Sequence, residues 1–182
     1  MDETNKQRIG EVCEPLPTQP GQPKRIEHEH VRNGVARICL EVEPLSGRRH
    51  VEVSERRTRK DWARWMRGML EERYAEAERV VLVLDNLNTH GIESLYETCP
   101  AKQARALAKR LEIHHTPKHG SWLNIAEIEL SALCGQCLDR RIPDLDTMRR
   151  EIEAWEQDRN HQQAKVDWQF TTPDARVKLR SL

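Results

Sequence analysis

The sequence predicts one α/β domain in which helices flank a mixed sheet, and three observations predict it. Ala36, Ile38, Leu40 and Val42 alternate with Arg37, Cys39, Glu41 and Glu43, the period-two pattern of a strand with one face buried. Val80-Val81-Leu82-Val83-Leu84 is an unbroken apolar, mostly β-branched run, which suits a strand buried on both faces. Apolar residues recur at helical spacing between and beyond these segments. Antiparallel strands first and strand–helix alternation afterwards make a mixed sheet with helices on its faces. The 182 residues suit a single unit, residues 1–182, with a sizeable core.

Taken in order, residues 1–12 are polar and show no legible period. Pro15, Pro17, Pro20, Gly21 and Pro23 rule out helix over 13–25 and predict an extended loop. The alternation that begins near Ala36 resumes at Val51 and Val53 after Pro44-Leu45-Ser46-Gly47, so residues 35–54 read as a β-hairpin. Thr58-Arg59-Lys60-Asp61 resembles a capping box, and Trp62, Trp65, Met66, Met69, Leu70 and Tyr74 follow at helical spacing. That predicts a helix over 59–76 whose aromatic stripe is core packing rather than a platform for bases. Pro100 opens a short Ala-rich helix to about Lys109, and Leu111 to His115 reads as another strand. Ser121 caps a predicted helix to about Leu138. Pro143 and Asp144 precede a last helix to about Asn160, and a polar tail follows with Trp168-Gln169-Phe170.

Composition narrows the function. The 30 basic and 30 acidic residues cancel, which counts against strong non-specific binding to DNA by this piece alone. The local clusters Arg56, Arg57, Arg59, Lys60 and Arg140, Arg141 read as solvated helix ends. No apolar run approaches the roughly 18 residues of a membrane span, and nothing resembles a signal peptide. Five cysteines without regular spacing suggest reduced thiols in a cytoplasm.

The residues that carry chemistry are carboxylates. Asp85 directly follows the apolar run, and open α/β sheets bind ligands at the carboxyl ends of their strands. An ordinary turn aspartate is the competing explanation. Asn86, Asn88, Thr89 and His90 add polar groups just beyond the strand. At about 100° per residue, Leu123, Ala126, Leu130, Cys134 and Cys137 share one stripe of the later helix. Glu127 falls within that stripe, and Glu129 falls to its side. A carboxylate on an apolar face needs a cation, a donor network or a metal, and an arginine ion pair competes with the metal. Asp2 has Glu3 and Glu14 as rivals, and periodicity does not choose among them. Cys134-Gly135-Gln136-Cys137 downstream of His114, His115 and His119 is a weak zinc pattern. Both cysteines sit on the apolar stripe, where cysteine acts as a small hydrophobe. No Gly-rich phosphate loop and no nucleophile elbow is present.

Leu84-Asp85-Asn86-Leu87-Asn88-Thr89-His90 and His115-Thr116-Pro117-Lys118-His119-Gly120-Ser121-Trp122-Leu123-Asn124-Ile125-Ala126-Glu127 closely resemble the second and third acidic blocks of bacterial insertion-sequence transposases of the mariner superfamily, the DDE-type enzymes. Met1-Asp2-Glu3-Thr4-Asn5-Lys6 looks like the first block, and the resemblance runs through Trp168-Gln169-Phe170-Thr171-Thr172. It implies a ribonuclease-H-like fold in which Asp2, Asp85 and Glu127 bind two divalent ions, Mg²⁺ or Mn²⁺. It also implies that DNA ends are cut and joined to a target strand. Two ions clamping an in-line displacement suit such a carboxylate set, since like charges held together otherwise raise one another's pKa. The resemblance makes Asn86, His90, Lys118, His119, Trp122 and Asn124 candidates for contacts with DNA or with the cleft. The partners implied are DNA, both element ends and target, and a second copy or a full-length transposase, with no membrane, in a bacterial cytoplasm at the nucleoid. In the family the first aspartate has strand residues ahead of it and helix-turn-helix domains upstream. Here Asp2 is the second residue, so the expectation is a shortened first strand in a truncated or split transposase. Two functions remain: a metal-dependent DNA endonuclease and strand transferase, or an inactive relic that keeps the fold and binds partners.

Overall fold

The computed structural model describes residues 1–13, 16, 20–21, 28–85, 91–117, 120, 123–178 and 180. Strands β1 (Asp2–Glu11), β2 (His30–Glu43) and β3 (Arg48–Ser54) form an antiparallel sheet in the order β1-β2-β3. Helix α1 (Arg59–Gly68) runs on through a π-helical turn at Met69–Arg73. Strand β4 (Val80–Leu84), helices α2 (Glu93–Thr98) and α3 (Ala101–Arg110) and strand β5 (Leu111–His115) follow, and β4 and β5 pair in parallel. Helices α4 (Ile125–Gln136), α5 (Leu145–His161) and α6 (Thr172–Lys178) complete the chain. The two sheets meet where the Met1 ammonium donates to the Val83 carbonyl at 2.8 Å.

The hairpin exists as the alternation predicts, with β2 reaching back to His30. Its tip needs Gly47, whose φ is +74° and whose added Cβ would lie 2.7 Å from the Gln163 carbonyl carbon. The even-numbered residues Ala36, Ile38 and Leu40 join Val51, Ala126, Leu130, Leu133, Met148 and Ile152 in one apolar cluster under α4 and α5. On the opposite face, Trp62, Trp65, Met66, Met69 and Leu70 pack with Leu82, Leu84, Leu95 and Leu107 in a second cluster. Each such side chain, fully buried, contributes about 1.5–3 kcal/mol. The capping box at the head of α1 is complete. Thr58 Oγ1 accepts from the Asp61 amide at 3.2 Å, and Asp61 Oδ2 accepts from the Thr58 amide at 2.9 Å.

The polar residues 2–11, which show no period of their own, form the first strand that the resemblance implies, because the β2 ladder holds this segment. Other expectations are corrected. Val81 and Val83 are 59% and 43% exposed, so β4 is buried on one face only. The cap of α4 is Asn124, whose Oδ1 accepts from the Ala126 amide at 3.2 Å; Ser121 lies outside the described residues. Helices α2 and α6 escaped the sequence because both are short and carry little apolar period. Most of the predicted 13–25 loop lies outside the described residues. Among the described residues, no helix is long and apolar enough to cross a membrane.

Candidate active site

The site forms where β1, β4 and α4 come together. Asp2 opens β1 and is half-buried, with its Oδ1 accepting from the Glu3 amide at 2.8 Å. The residue before it is held from two sides. The Met1 ammonium bonds Val83 of β4, and the Met1 carbonyl accepts from Asn124 Nδ2 at 3.2 Å. These two bonds set the start of β1 beside the carboxyl end of β4 and the first turn of α4. Asp85 is the first residue past β4 and is half-buried. Its carbonyl accepts from His115 Nδ1 at 3.3 Å. The Thr116 amide donates to the Leu84 carbonyl at 3.0 Å, so the parallel ladder fixes the chain up to Asp85. Glu127 sits in the first turn of α4, with its side chain exposed.

Electrostatics tie the three acids together. The Asp2 carboxyl is pushed above the usual aspartate range by burial first, and further by the charges of Asp85 and Glu127. The Glu3 amide and the Met1 ammonium pull the other way. An arrangement that raises an acid through two other acids is one that a cation would relieve. The donors are all carboxylate oxygens, the chemistry hard divalent ions select. Among the described residues, no group of three or more His, Cys, Asp or Glu side chains is gathered closely enough to hold an ion. The donor types therefore suit the ions, while the three side chains stand near one another without being drawn into a cluster.

On α4 the buried acid is Glu129, not Glu127 as the sequence stripe predicts. Glu129 is 5% exposed. Arg159 Nη2 donates to both of its oxygens at 3.0 and 3.1 Å, and Arg49 Nε lies 3.0 Å from Oε2. Arg49 is itself anchored to the carbonyls of Gly47 and Ala164. The helix presents Ala126, Glu129, Leu130 and Leu133 to the core, a stripe rotated from the expected one. Glu127 thereby turns outward and is exposed. Cys134 and Cys137 pack against the α4–α5 cluster, as small hydrophobes do.

The remaining candidates separate cleanly. Asn86, His90, Lys118, His119 and Trp122 lie outside the described residues. Asn124 is 3% exposed, and its side chain ties the head of α4 to the start of β1. Of the histidines in the weak zinc pattern, His115 bonds the Asp85 carbonyl and His114 bonds Glu112. The role of Asn124 was signalled by its place ahead of Ile125-Ala126-Glu127, since asparagine is a strong N-cap. Of the basic clusters, Arg57 Nε pairs with Glu3 at 2.6 Å, and Arg140 and Arg141 pair with Glu151 and Glu11.

An antiparallel three-stranded sheet beside a parallel pair, with helices packed on them, is a ribonuclease-H-like α/β architecture. Residues 1–149 match the family described as DDE superfamily endonuclease, and the chain belongs to that family. The crystal structure of the Mos1 mariner paired end complex with Mn is similar in fold, with a TM-score of 0.53 at 16% sequence identity. The likeness covers 91% of this chain and 48% of that one, so the chain spans about half the length of that protein. No curated protein sequence matches the chain.

Proposed function

We propose that residues 1–182 are the catalytic domain of a DNA transposase of the mariner superfamily, encoded by a bacterial insertion sequence and working in the cytoplasm at the nucleoid. The observation that carries this reading is the junction itself: Met1 ties the start of β1 to the end of β4 and to the head of α4, and Asp2, Asp85 and Glu127 lie on those three segments, with the Asp2 carboxyl held above its usual range by burial first and then by the charges of Asp85 and Glu127. Family membership over residues 1–149 supports the nuclease chemistry.

Asp2, Asp85 and Glu127 are the residues that would hold two Mg²⁺ or Mn²⁺ ions. Bound there, the ions would supply a Lewis acid for the attacking oxygen and for the leaving oxygen of a phosphodiester. The protein's own contribution is placement. Val83 and Asn124 fix the backbone around Asp2, and His115 fixes the backbone of Asp85. Rigid backbone at each carboxylate lowers the reorganisation needed when DNA and ions arrive. The proposed partners are element ends, target DNA, and a second copy of the chain or a full-length transposase.

A second reading, a relic that keeps the fold and binds partners without cutting DNA, is favoured by one observation. Among the described residues the three acids are not gathered into an ion-holding group. Nicking of supercoiled plasmid by the purified chain with Mg²⁺ or Mn²⁺ separates the two. Cutting that Asp85→Asn and Glu127→Gln each abolish supports the nuclease. No cutting, or cutting that survives both substitutions, supports the relic.

A further inference from the structure

We propose that the pocket between the β2–β3 hairpin and the head of α1 binds a phosphate group. The pocket encloses about 160 Å³. At a share of about 30 Å³ per water, that is room for roughly five waters, the heavy-atom count of a phosphate. The buried part of its lining is apolar, with Ile38, Trp62 and Trp65. The charged part brings guanidiniums from three segments: Arg37 of β2, Arg56 and Arg57 between β3 and α1, and Arg64 of α1. The pocket is separate from the three-acid site. Successive strand residues point to opposite faces, so Glu3 and Cys39, which line the pocket, lie across the sheet from Asp2 and Leu40.

The pairing within the lining shows which charges are left over. Each of its acids already has a cation. Glu3 holds Arg57 at 2.6 Å, Asp61 holds Arg64 at 3.0 Å, and Glu52 lies 3.3 Å from His50. Arg37 and Arg56 have no such partner: among the described residues, neither guanidinium has a hydrogen bond or an ion pair. Arg37 is nevertheless half-buried. A guanidinium carries five N–H donors and no acceptor, and burying such donors unpaired is costly. An anion seated between Arg37 and Arg56 satisfies them, and the apolar wall behind it strengthens the attraction. The arginines come from different segments, so they approach a ligand from several sides. A phosphate offers oxygens in all of those directions, whereas a carboxylate offers two in one plane. Two sources carry this chemistry, a small phosphate ester and the DNA backbone; the second rests on the transposase reading.

The test is thermal melting of the full chain in EDTA with inorganic phosphate, beside sodium chloride at matched ionic strength. Phosphate is expected to raise Tm saturably, with half the effect at about millimolar concentration, and chloride is not. Arg37→Ala and Arg56→Ala have no ion pair to lose, so each is expected to keep the parent's Tm without phosphate. Each should then need at least about tenfold more phosphate. Arg105→Ala, exposed on α3, should respond as the parent does. An equal response to chloride, no response up to about 100 mM phosphate, or an unchanged response in both pocket variants overturns the proposal. A short DNA duplex then assigns the source. A duplex that displaces phosphate, and whose salt slope falls by about 0.9 in Arg37→Ala, places the DNA backbone in the pocket. A duplex that leaves phosphate binding unchanged places a small ester there, and either result keeps the phosphate pocket. None of these readouts needs metal or cutting, so failure of the pocket and failure of the nuclease reading are seen separately.

Discussion

The side-chain amide of Asn124 bonds both ways: Nδ2 donates to the Met1 carbonyl at 3.2 Å and Oδ1 accepts from the Ala126 amide at 3.2 Å. One residue thereby couples the head of α4, which carries Glu127, to the start of β1, which carries Asp2. Two substitutions separate its jobs. Asn124→Ala removes both bonds and is expected to cost about 1 kcal/mol for the cap, plus the penalty of a buried unpaired carbonyl. Asn124→Asp keeps the cap and sets a carboxylate against the Met1 carbonyl. It is expected to lower Mn²⁺ affinity more than tenfold with a smaller loss of Tm than Asn124→Ala; calorimetric titration beside thermal melting checks both.

The two acids of α4 are expected to behave in opposite ways. Glu129→Ala leaves the fully buried Arg49 without its counter-charge and should cost about 3–5 kcal/mol. Glu127→Gln removes an exposed carboxylate and should change stability by less than about 0.5 kcal/mol. Urea denaturation of both variants decides. A large loss in Glu127→Gln would show that this exposed acid is structural.

That pair also shows what was legible in the sequence. Strand alternation at Ala36–Val42, the Thr58 capping box and the α1 stripe were readable because each is a local rule satisfied locally. The buried side of α4 was not. Burial there is decided by Arg49 on β3 and Arg159 on α5, far apart in sequence, which convert a charged position into core. Strand β1 was hidden for the same reason, since its partner supplies the order. Glu127 was nominated by a stripe the helix does not use, and it stands exposed in the first turn of α4.

His50 offers a pH test remote from the cleft. Its side chain bonds Glu156 at 3.2 Å and Glu52 at 3.3 Å, and lies against Trp65 with ring centroids 5.3 Å apart. The Glu156 bond first, then that to Glu52, raises its pKa from 6.5 to about 9, against burial and the nearby Arg73. A raised folded-state pKa means the stabilisation is fully present below pH 6.5 and is lost as pH rises through about 9. Denaturation from pH 6 to 10 should show a loss on the order of 1 kcal/mol in the parent. His50→Gln should flatten it.

Asp2 should trade stability for function. Its raised pKa means that ionised Asp2 opposes folding at neutral pH when no cation is present. Asp2→Asn is therefore expected to raise the Tm of the metal-free chain at pH 7 by a few degrees, and to lose the further rise that Mn²⁺ gives the parent. Differential scanning calorimetry with and without Mn²⁺ measures both effects.

The most direct test of the three-acid site is isothermal titration of Mn²⁺ into the parent chain and into Asp2→Asn, Asp85→Asn and Glu127→Gln. Saturable binding by the parent that each substitution weakens at least about tenfold is the expected result. Binding by the parent that survives all three substitutions, or no binding by a folded parent, would contradict it.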